Sequence, residues 1–276
     1  QYTALAFALV GAAALSAQAV VAKDLTVAVY SAFTTLDPYD ASDTLSQNVA
    51  KSFYEGLFGF DKDMKLVNVL AESYDVSKDG LEYTIKLKQG IKFSDGEPFN
   101  AAAVKANFDR VTNPENHLTR YQLYRNIESV EVVDDATVKF HLKEAFSAFI
   151  NQLAHPSGVM ICPKTLALSK KEVAFNPCGT GPYVLEKYNP AEYLVVKKNP
   201  SYWQKGLPKL DSISFRPVLE DATRVAMLRT GEAQFVDVVP PEHVERLKET
   251  PNIVVDAAPS IVQRQIYLHT VSYTHL

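Results

Sequence analysis

The chain has 276 residues, of which 47% are hydrophobic and 22% are charged, and its formal net charge is −4. These values are ordinary for a globular protein and, with 14 Phe and 14 Tyr available for burial, they exclude intrinsic disorder. A mildly acidic chain has no basic footprint, so no nucleic-acid partner is expected. Two cysteines are too few for a disulfide scaffold and lack the spacing of a zinc finger.

The first 22 residues have the composition of an export signal. Leu5–Leu15 is an apolar run of the length found in signal peptides and is short for a membrane span. Ala17-Gln18-Ala19 matches the small-residue cleavage pattern, and charged sequence begins at Lys23-Asp24. Because the usual basic segment is missing, residues 1–22 are predicted to be an incomplete signal peptide for export to the periplasm. The alternative is an alanine-rich core helix.

The chain that follows opens with a predicted strand and a predicted helix. Leu25–Tyr30 alternates with β-branched residues, as a strand does. Apolar residues then recur at every fourth position, which predicts an amphipathic helix. These residues are Leu45, Val49, Phe53 and Leu57. Ser42 or Asp43 can cap the start of this helix, and Gly56 and Gly59 suit its end.

Residues 61–177 are predicted to form an α+β unit of hairpins and short helices. Leu81–Leu87 alternates with period two and follows the turn signal Asp79-Gly80, which predicts a hairpin. A helix capped by Asn100 should come next. Asp134-Asp135 then predicts the turn of a second hairpin.

From residue 178 onward, strands and helices are predicted to alternate. The predicted segments are a hairpin over Tyr183–Lys197, a strand over Ile213–Phe215, a helix capped by Asp221 and ended by Gly231, a strand over Gln234–Val239, a helix opened by Pro241 and a strand over Ile253–Val255. This order implies crossover connections and a partly parallel sheet.

Motifs for catalysis or for a bound metal are weak. The sequence contains no Gly-x-Ser-x-Gly nucleophile turn, no His-Glu-x-x-His motif and no phosphate loop. The six histidines are dispersed, so neither a metal site nor a cofactor is predicted. Gly179–Tyr183 precedes a strand rather than a helix, which disfavours a nucleotide site. Its glycines favour a tight turn against either a ligand or another backbone segment.

Two further features leave alternatives open. Cys162 and Cys178 could form a disulfide in an oxidising compartment, or they could remain two buried thiols. Thr119–Arg125 concentrates Arg and Tyr, which suit carboxylates and aromatic groups. An ordinary amphipathic surface helix has the same composition.

Six motifs, taken in order, resemble one known family. They are Thr35-Leu36-Asp37-Pro38, Tyr54-Glu55-Gly56-Leu57, Leu70-Ala71-Glu72-Ser73, Ile91–Phe99, Gly179–Tyr183 and Tyr202-Trp203. Together they resemble the family 5 extracellular solute-binding proteins, the peptide and nickel receptors of bacterial ABC importers. Phe33–Ala41 and Arg120–Tyr124 further resemble members of that family that bind glutathione.

The resemblance implies a mixed α/β fold, a periplasmic-binding-protein type II lobe with an extra α+β subdomain. Residues 23–60 and 178–268 would form this lobe, and residues 61–177 would form the subdomain. Residues 269–276 match no pattern of the family. The second lobe is expected to be missing, so the chain is predicted to be truncated and to bind ligand poorly by itself.

The resemblance also implies a function. The expected protein is a monomer that captures glutathione or a short peptide between two lobes and delivers it to the ABC permease subunits at the inner membrane, without enzymatic activity. Arg120 would pair with a ligand carboxylate. The ligand contacts implied for the cleft edge are Phe33, Thr34, Thr35, Leu36, Arg120, Tyr121, His155, Ser157, Gly179 and Thr180.

Three other functions compete with this prediction. A nickel-chelate or haem receptor of the same fold would need His or Met at the cleft, and the chain has three Met. A secreted hydrolase would need a nucleophile motif that the sequence lacks. An extracellular sensor or chaperone that uses the fold without transport remains open.

Overall fold

A computed structural model describes residues 23–257 of the chain. The predicted signal segment and the predicted non-family tail lie outside the described residues. The strands are β1 (Asp24–Val29), β2 (Phe58–Phe60), β3 (Leu66–Asn68), β4 (Ala71–Val76), β5 (Glu82–Leu87), β6 (Ile127–Asp134), β7 (Thr137–Leu142), β8 (Tyr183–Asn189), β9 (Tyr193–Lys198), β10 (Ser212–Pro217) and β11 (Phe235–Val236). The helices are α1 (Thr44–Ala50), α2 (Ala101–Thr112), α3 (Tyr121–Tyr124), α4 (Phe149–Leu153), α5 (Pro163–Leu166), α6 (Lys170–Val173), α7 (Asp221–Thr230) and α8 (Pro241–Lys248).

The first and last parts of the described chain share a five-stranded sheet with the strand order β11-β1-β10-β9-β8. Strand β1 pairs in parallel with both β10 and β11, and α7 connects these two neighbours. The predicted crossover and the partly parallel sheet are therefore confirmed. The predicted hairpin of β8 and β9 is also present and extends the sheet with antiparallel pairs.

The middle of the chain forms a four-stranded antiparallel sheet with the order β4-β5-β7-β6, and α2 packs against β6 and β7. Both predicted hairpins are present in it. Along β5, Tyr83, Ile85 and Leu87 are buried as the alternation predicts. Asn100 caps α2 by accepting a hydrogen bond from the backbone of Ala103. The residue bounds of lobe and subdomain remain a prediction.

The first helix is shorter than predicted. It begins at the Asp43 cap as expected but ends at Ala50 rather than near Gly56 or Gly59. Gly56 instead forms a β-bridge with Val159, and a Cβ there would come 2.8 Å from the carbonyl oxygen of Gly158. Beyond Ala50 the chain turns, and at Gly56 it lies against another backbone segment, an approach that glycine permits.

Three predicted features near the end of the described chain are wrong. Glu220, not Asp221, caps α7 by accepting a hydrogen bond from the backbone of Thr223. The strand predicted over Gln234–Val239 is limited to β11, since Val238 has a positive φ that breaks the extended run. The segment 253–255 is not a strand in the part of the chain that is described, and Val254 is 92% exposed.

A core rich in aromatic residues joins the sheets. Most of the buried side chains belong to one contiguous cluster that spans both the five-stranded and the four-stranded sheet. Its largest fully buried members include Tyr39, Tyr54, Phe108, Tyr124 and Phe140. None of the helices within residues 23–257 has the length and apolar character needed to cross a membrane.

Candidate functional site

A cavity of about 630 Å³ lies between the segment after α1, the β2–β3 hairpin and the turn after α4. Its walls are largely apolar, and polar side chains stand among them. The apolar residues in its lining include Tyr54, Phe58, Phe60, Leu123 and Val159, and the polar ones include Lys51, Glu55, Asn151, Gln152 and His155. A concave, mostly apolar surface with a few polar groups is typical of small-molecule sites.

His155 is the predicted site residue that lines this cavity. Its Nδ1 accepts a hydrogen bond from the backbone N of Ser157 at 3.1 Å and lies 2.8 Å from the Ser157 hydroxyl, which Tyr124 contacts in turn at 3.1 Å. Burial and the nearby Arg120 guanidinium lower the pKa of His155. The neutral imidazole therefore carries its proton on Nε2, where it can donate to a bound molecule.

Arg120 is held at the same corner by two backbone carbonyls. Its Nε donates to the carbonyl of Ala41 at 2.9 Å, and its backbone N donates to the carbonyl of Tyr39 at 3.0 Å. Within residues 23–257, neither terminal guanidinium nitrogen has a hydrogen-bond or ion-pair partner. The side chain is thus oriented by the protein while its two terminal donors remain available. Tyr121 follows it at the start of α3 and is half-buried.

The loop after β1 contributes less than predicted. Phe33 and Leu36 are 4% and 0% exposed, and Phe33 packs against the rings of Tyr188 and Phe215. Direct contact of these two side chains with a ligand is therefore not supported, because the core buries them. Thr34 is exposed, and Thr35 accepts a hydrogen bond from the backbone of Asp37 at 3.1 Å.

Gly179 and Thr180 also differ from the prediction. They lie just before β8, and β8 begins at the same end of the sheet as β1. The loop that contains Phe33 follows β1 and therefore lies at the opposite end of the sheet. Both residues are buried, and a methyl group at Gly179 would overlap the carbonyl oxygen of Phe53. The glycine is thus explained by another backbone segment, and neither residue lies on the cavity surface.

Glu55 is the site residue that the sequence did not single out. Its carboxylate accepts hydrogen bonds from the Thr180 hydroxyl at 2.9 Å, the Tyr202 hydroxyl at 2.7 Å and the Trp203 indole N–H at 2.8 Å. Three of the six family motifs therefore meet at one carboxylate on the cavity wall. The signal for this cluster was present in the motifs, but the motifs are far apart in the chain.

The pH dependence of stability should reveal the burial of Glu55. Burial raises the pKa of Glu55 from its usual 4.5, although the three donors act in the opposite direction. The native state thus holds this proton more tightly than the unfolded chain, so stability is lost as the pH rises from 4.5 through the raised pKa. We expect the stability advantage of wild type over Glu55→Gln to shrink with rising pH in urea titrations. A difference that stays constant with pH would contradict this.

Cys162 and Cys178 are joined by a disulfide in the structure, with their Cα atoms 5.4 Å apart. Cys162 is fully buried, and Cys178 accepts a hydrogen bond from the Ser94 hydroxyl at 3.4 Å. The bond closes a loop that contains α5 and α6 and ends beside Gly179.

Solved structures identify the class of fold. The solute-binding protein MoaA from A. tumefaciens R10, solved with mannopinic acid, superposes with a TM-score of 0.80 at 27% identity over 87% of this chain and 50% of that chain. The ABC transporter-associated periplasmic binding protein DppA from Helicobacter pylori, solved with the peptide STSA, gives 0.78 at 28% identity over 84% and 50%. The chain therefore has part of the fold of a type II periplasmic binding protein.

Residues 65–272 match the family model described as bacterial extracellular solute-binding proteins, family 5 Middle. The chain therefore belongs to this family, as its motifs predicted. It is 61% identical over 251 residues to the glutathione-binding protein GsiB of Salmonella typhi, covering 91% of this chain and 49% of that protein. For GsiB of Escherichia coli K12 the identity is 58% over 260 residues, covering 94% and 51%. The chain spans about half the length of these curated relatives.

Proposed function

We propose that this chain is part of the substrate-binding component of an ABC importer. This component is exported to the periplasm and is a monomer. It captures glutathione or a short peptide and delivers the ligand to the permease. Family membership supports the general role, and the GsiB relatives support glutathione as the ligand. Binding, rather than bond making, is the activity. The arrangement of Arg120 is the observation that carries the proposal.

Glutathione and peptides both present carboxylates, and a guanidinium can bind a carboxylate through two parallel hydrogen bonds. Arg120 offers two terminal nitrogens without partners in the described part of the chain, while its Nε is fixed on Ala41. The Nε2–H of His155 supplies a neutral donor nearby. The adjoining apolar cavity can accept the uncharged part of such a ligand.

Capture requires a second surface opposite this one. Relatives are about twice as long as the part of them that this chain covers, so the remaining half is proposed to form the opposite lobe. Closure of two lobes around a hinge buries the ligand and stabilises the closed form to the extent that the ligand prefers it. The closed form is the one proposed to dock on the permease.

Arg120→Ala should weaken ligand binding strongly. Truncating one partner of a buried, hydrogen-bonded charge pair costs about 2–5 kcal/mol, so the dissociation constant for reduced glutathione should rise by about 30-fold or more. Isothermal titration of the full-length protein measures this change. Arg125→Ala is the matched control, because Arg125 is an exposed arginine five residues away and should leave the affinity unchanged. Equal affinities of wild type and Arg120→Ala would refute the proposed site.

A further inference from the structure

Asp40 lies at the centre of a hydrogen-bonded cluster beside Arg120. Its Oδ1 accepts from the backbone N of Thr119 at 3.2 Å and from the Thr119 hydroxyl at 2.8 Å, and it lies 3.0 Å from Nζ of Lys170. Burial acts to raise the pKa of Asp40, but the hydrogen bonds from Lys170 and Thr119 outweigh it and lower the pKa. The carboxylate is therefore ionised at neutral pH, and three donors converge on one of its oxygens.

The two neighbours of Asp40 hold Arg120 itself. Tyr39 accepts from the Arg120 backbone N at 3.0 Å, and Ala41 accepts from its Nε at 2.9 Å. Tyr39, Asp40 and Ala41 thus hold the Thr119-Arg120 segment together. The contacts from Tyr39 and Ala41 fix the backbone and the guanidinium of Arg120. The position of the Arg120 terminal nitrogens depends on these contacts.

Lys170 ties the cluster to the rest of the fold. Its Nζ also donates to the carbonyl of His117 at 2.9 Å, on the segment that leads to Thr119. Lys170 lies within the loop whose ends the disulfide between Cys162 and Cys178 joins. The cation that faces Asp40 is therefore anchored by the fold and does not depend on the Thr119-Arg120 segment alone.

We propose that Asp40 is a positioning residue for ligand binding. It holds the Thr119-Arg120 segment so that the Arg120 guanidinium is already oriented before a ligand carboxylate binds. This inference rests on the proposed function, because that function assigns Arg120 to the ligand. The Asp40 side chain is 22% exposed and its Oδ1 is committed to Thr119 and Lys170, so Asp40 acts through Arg120. Ordering the arginine in advance removes a cost that binding would otherwise carry.

A double-mutant cycle in the full-length protein tests this inference, with reduced glutathione as the titrant. Asp40→Ala should weaken binding by about tenfold, the equivalent of one charge-assisted hydrogen bond. The same change in an Arg120→Ala background should weaken it no further, because the group that Asp40 positions is gone. Asp109→Ala is the control, since this exposed carboxylate pairs with Lys105 away from the cluster and its loss should not change the affinity.

The possible outcomes separate this inference from the function on which it rests. If Asp40→Ala leaves the affinity unchanged, or weakens it equally in both backgrounds, the positioning role is wrong while the proposed function stands. If Arg120→Ala alone has no effect, the binding site proposed around Arg120 and the positioning role of Asp40 are both wrong. Should Asp40→Ala fail to fold, Lys170→Met takes its place in the cycle with an expected loss of about threefold. Faster amide exchange over Thr119–Tyr124 in the unliganded variant is the second expected result.

Discussion

Arg110→Ala will lower the free energy of unfolding by about 3–5 kcal/mol, because it leaves a buried carboxylate without its partner. The guanidinium of Arg110 and the carboxylate of Asp37 form a bidentate ion pair, with Nη1 to Oδ1 at 3.2 Å and Nη2 to Oδ2 at 2.5 Å. Their side chains are 9% and 1% exposed. Alanine is a good helix former, so the change in α2 itself adds no cost. Urea unfolding followed by circular dichroism measures the loss.

A matched control is available on the same helix. Lys105 and Asp109 form an exposed ion pair one turn apart, and such pairs contribute about 0.3–0.5 kcal/mol. Lys105→Ala should therefore be nearly neutral. The double variant Asp37→Asn/Arg110→Met removes both buried charges and should recover part of the loss. If Arg110→Ala destabilised the protein no more than Lys105→Ala, the buried ion pair would not be a major contributor to its stability.

Loss of the disulfide should have the second largest effect on the free energy of unfolding. Replacing Cys162 and Cys178 with alanine should lower the free energy of unfolding by about 3 kcal/mol, as expected for a loop of this length in the chain-entropy model. The two cysteines are 16 positions apart. Guanidinium unfolding under non-reducing conditions compares the variant with wild type.

Dithiothreitol provides the control for this effect. It should destabilise the wild type by a similar amount and leave the double variant unchanged, which separates loop closure from the loss of the two cysteine sulfur atoms. Stability of wild type that is unaffected by reduction, while thiol titration counts two free sulfhydryls, would contradict the role of the bond.

Local patterns explain why the hairpins could be predicted and the hydrogen bonds of Glu55 could not. Asp79-Gly80 lies in the turn of one hairpin, and the other turns at Asp135-Ala136, one residue later than predicted, because Asp134 still pairs with Thr137. The interactions that define both turns are close in the sequence. The hydrogen bonds of Glu55 join residues 125, 147 and 148 positions apart. The motifs therefore identified the family without indicating that three of them share one carboxylate.

The predicted site residues also differ in how much of their role depends on tertiary contacts. The chemistry of their side chains predicts Arg120 and His155 as site residues, and the structure brings these two side chains near each other. The conformational freedom of Gly179 fits the approach of a ligand and the approach of a backbone segment equally well. The approach of Phe53 decides between these two explanations, and this approach depends on where α1 ends. The length of a short helix is set by tertiary contacts, so periodicity alone overestimated it.

The most direct test of the account is a crystal structure of the full-length protein with reduced glutathione bound. We expect a ligand carboxylate within about 2.7–3.2 Å of both terminal nitrogens of Arg120. We also expect His155 Nε2 within reach of the ligand and an undisturbed contact between Arg120 Nε and Ala41. A ligand whose carboxylates are bound elsewhere, with Arg120 pointing away from it, would contradict the proposed site.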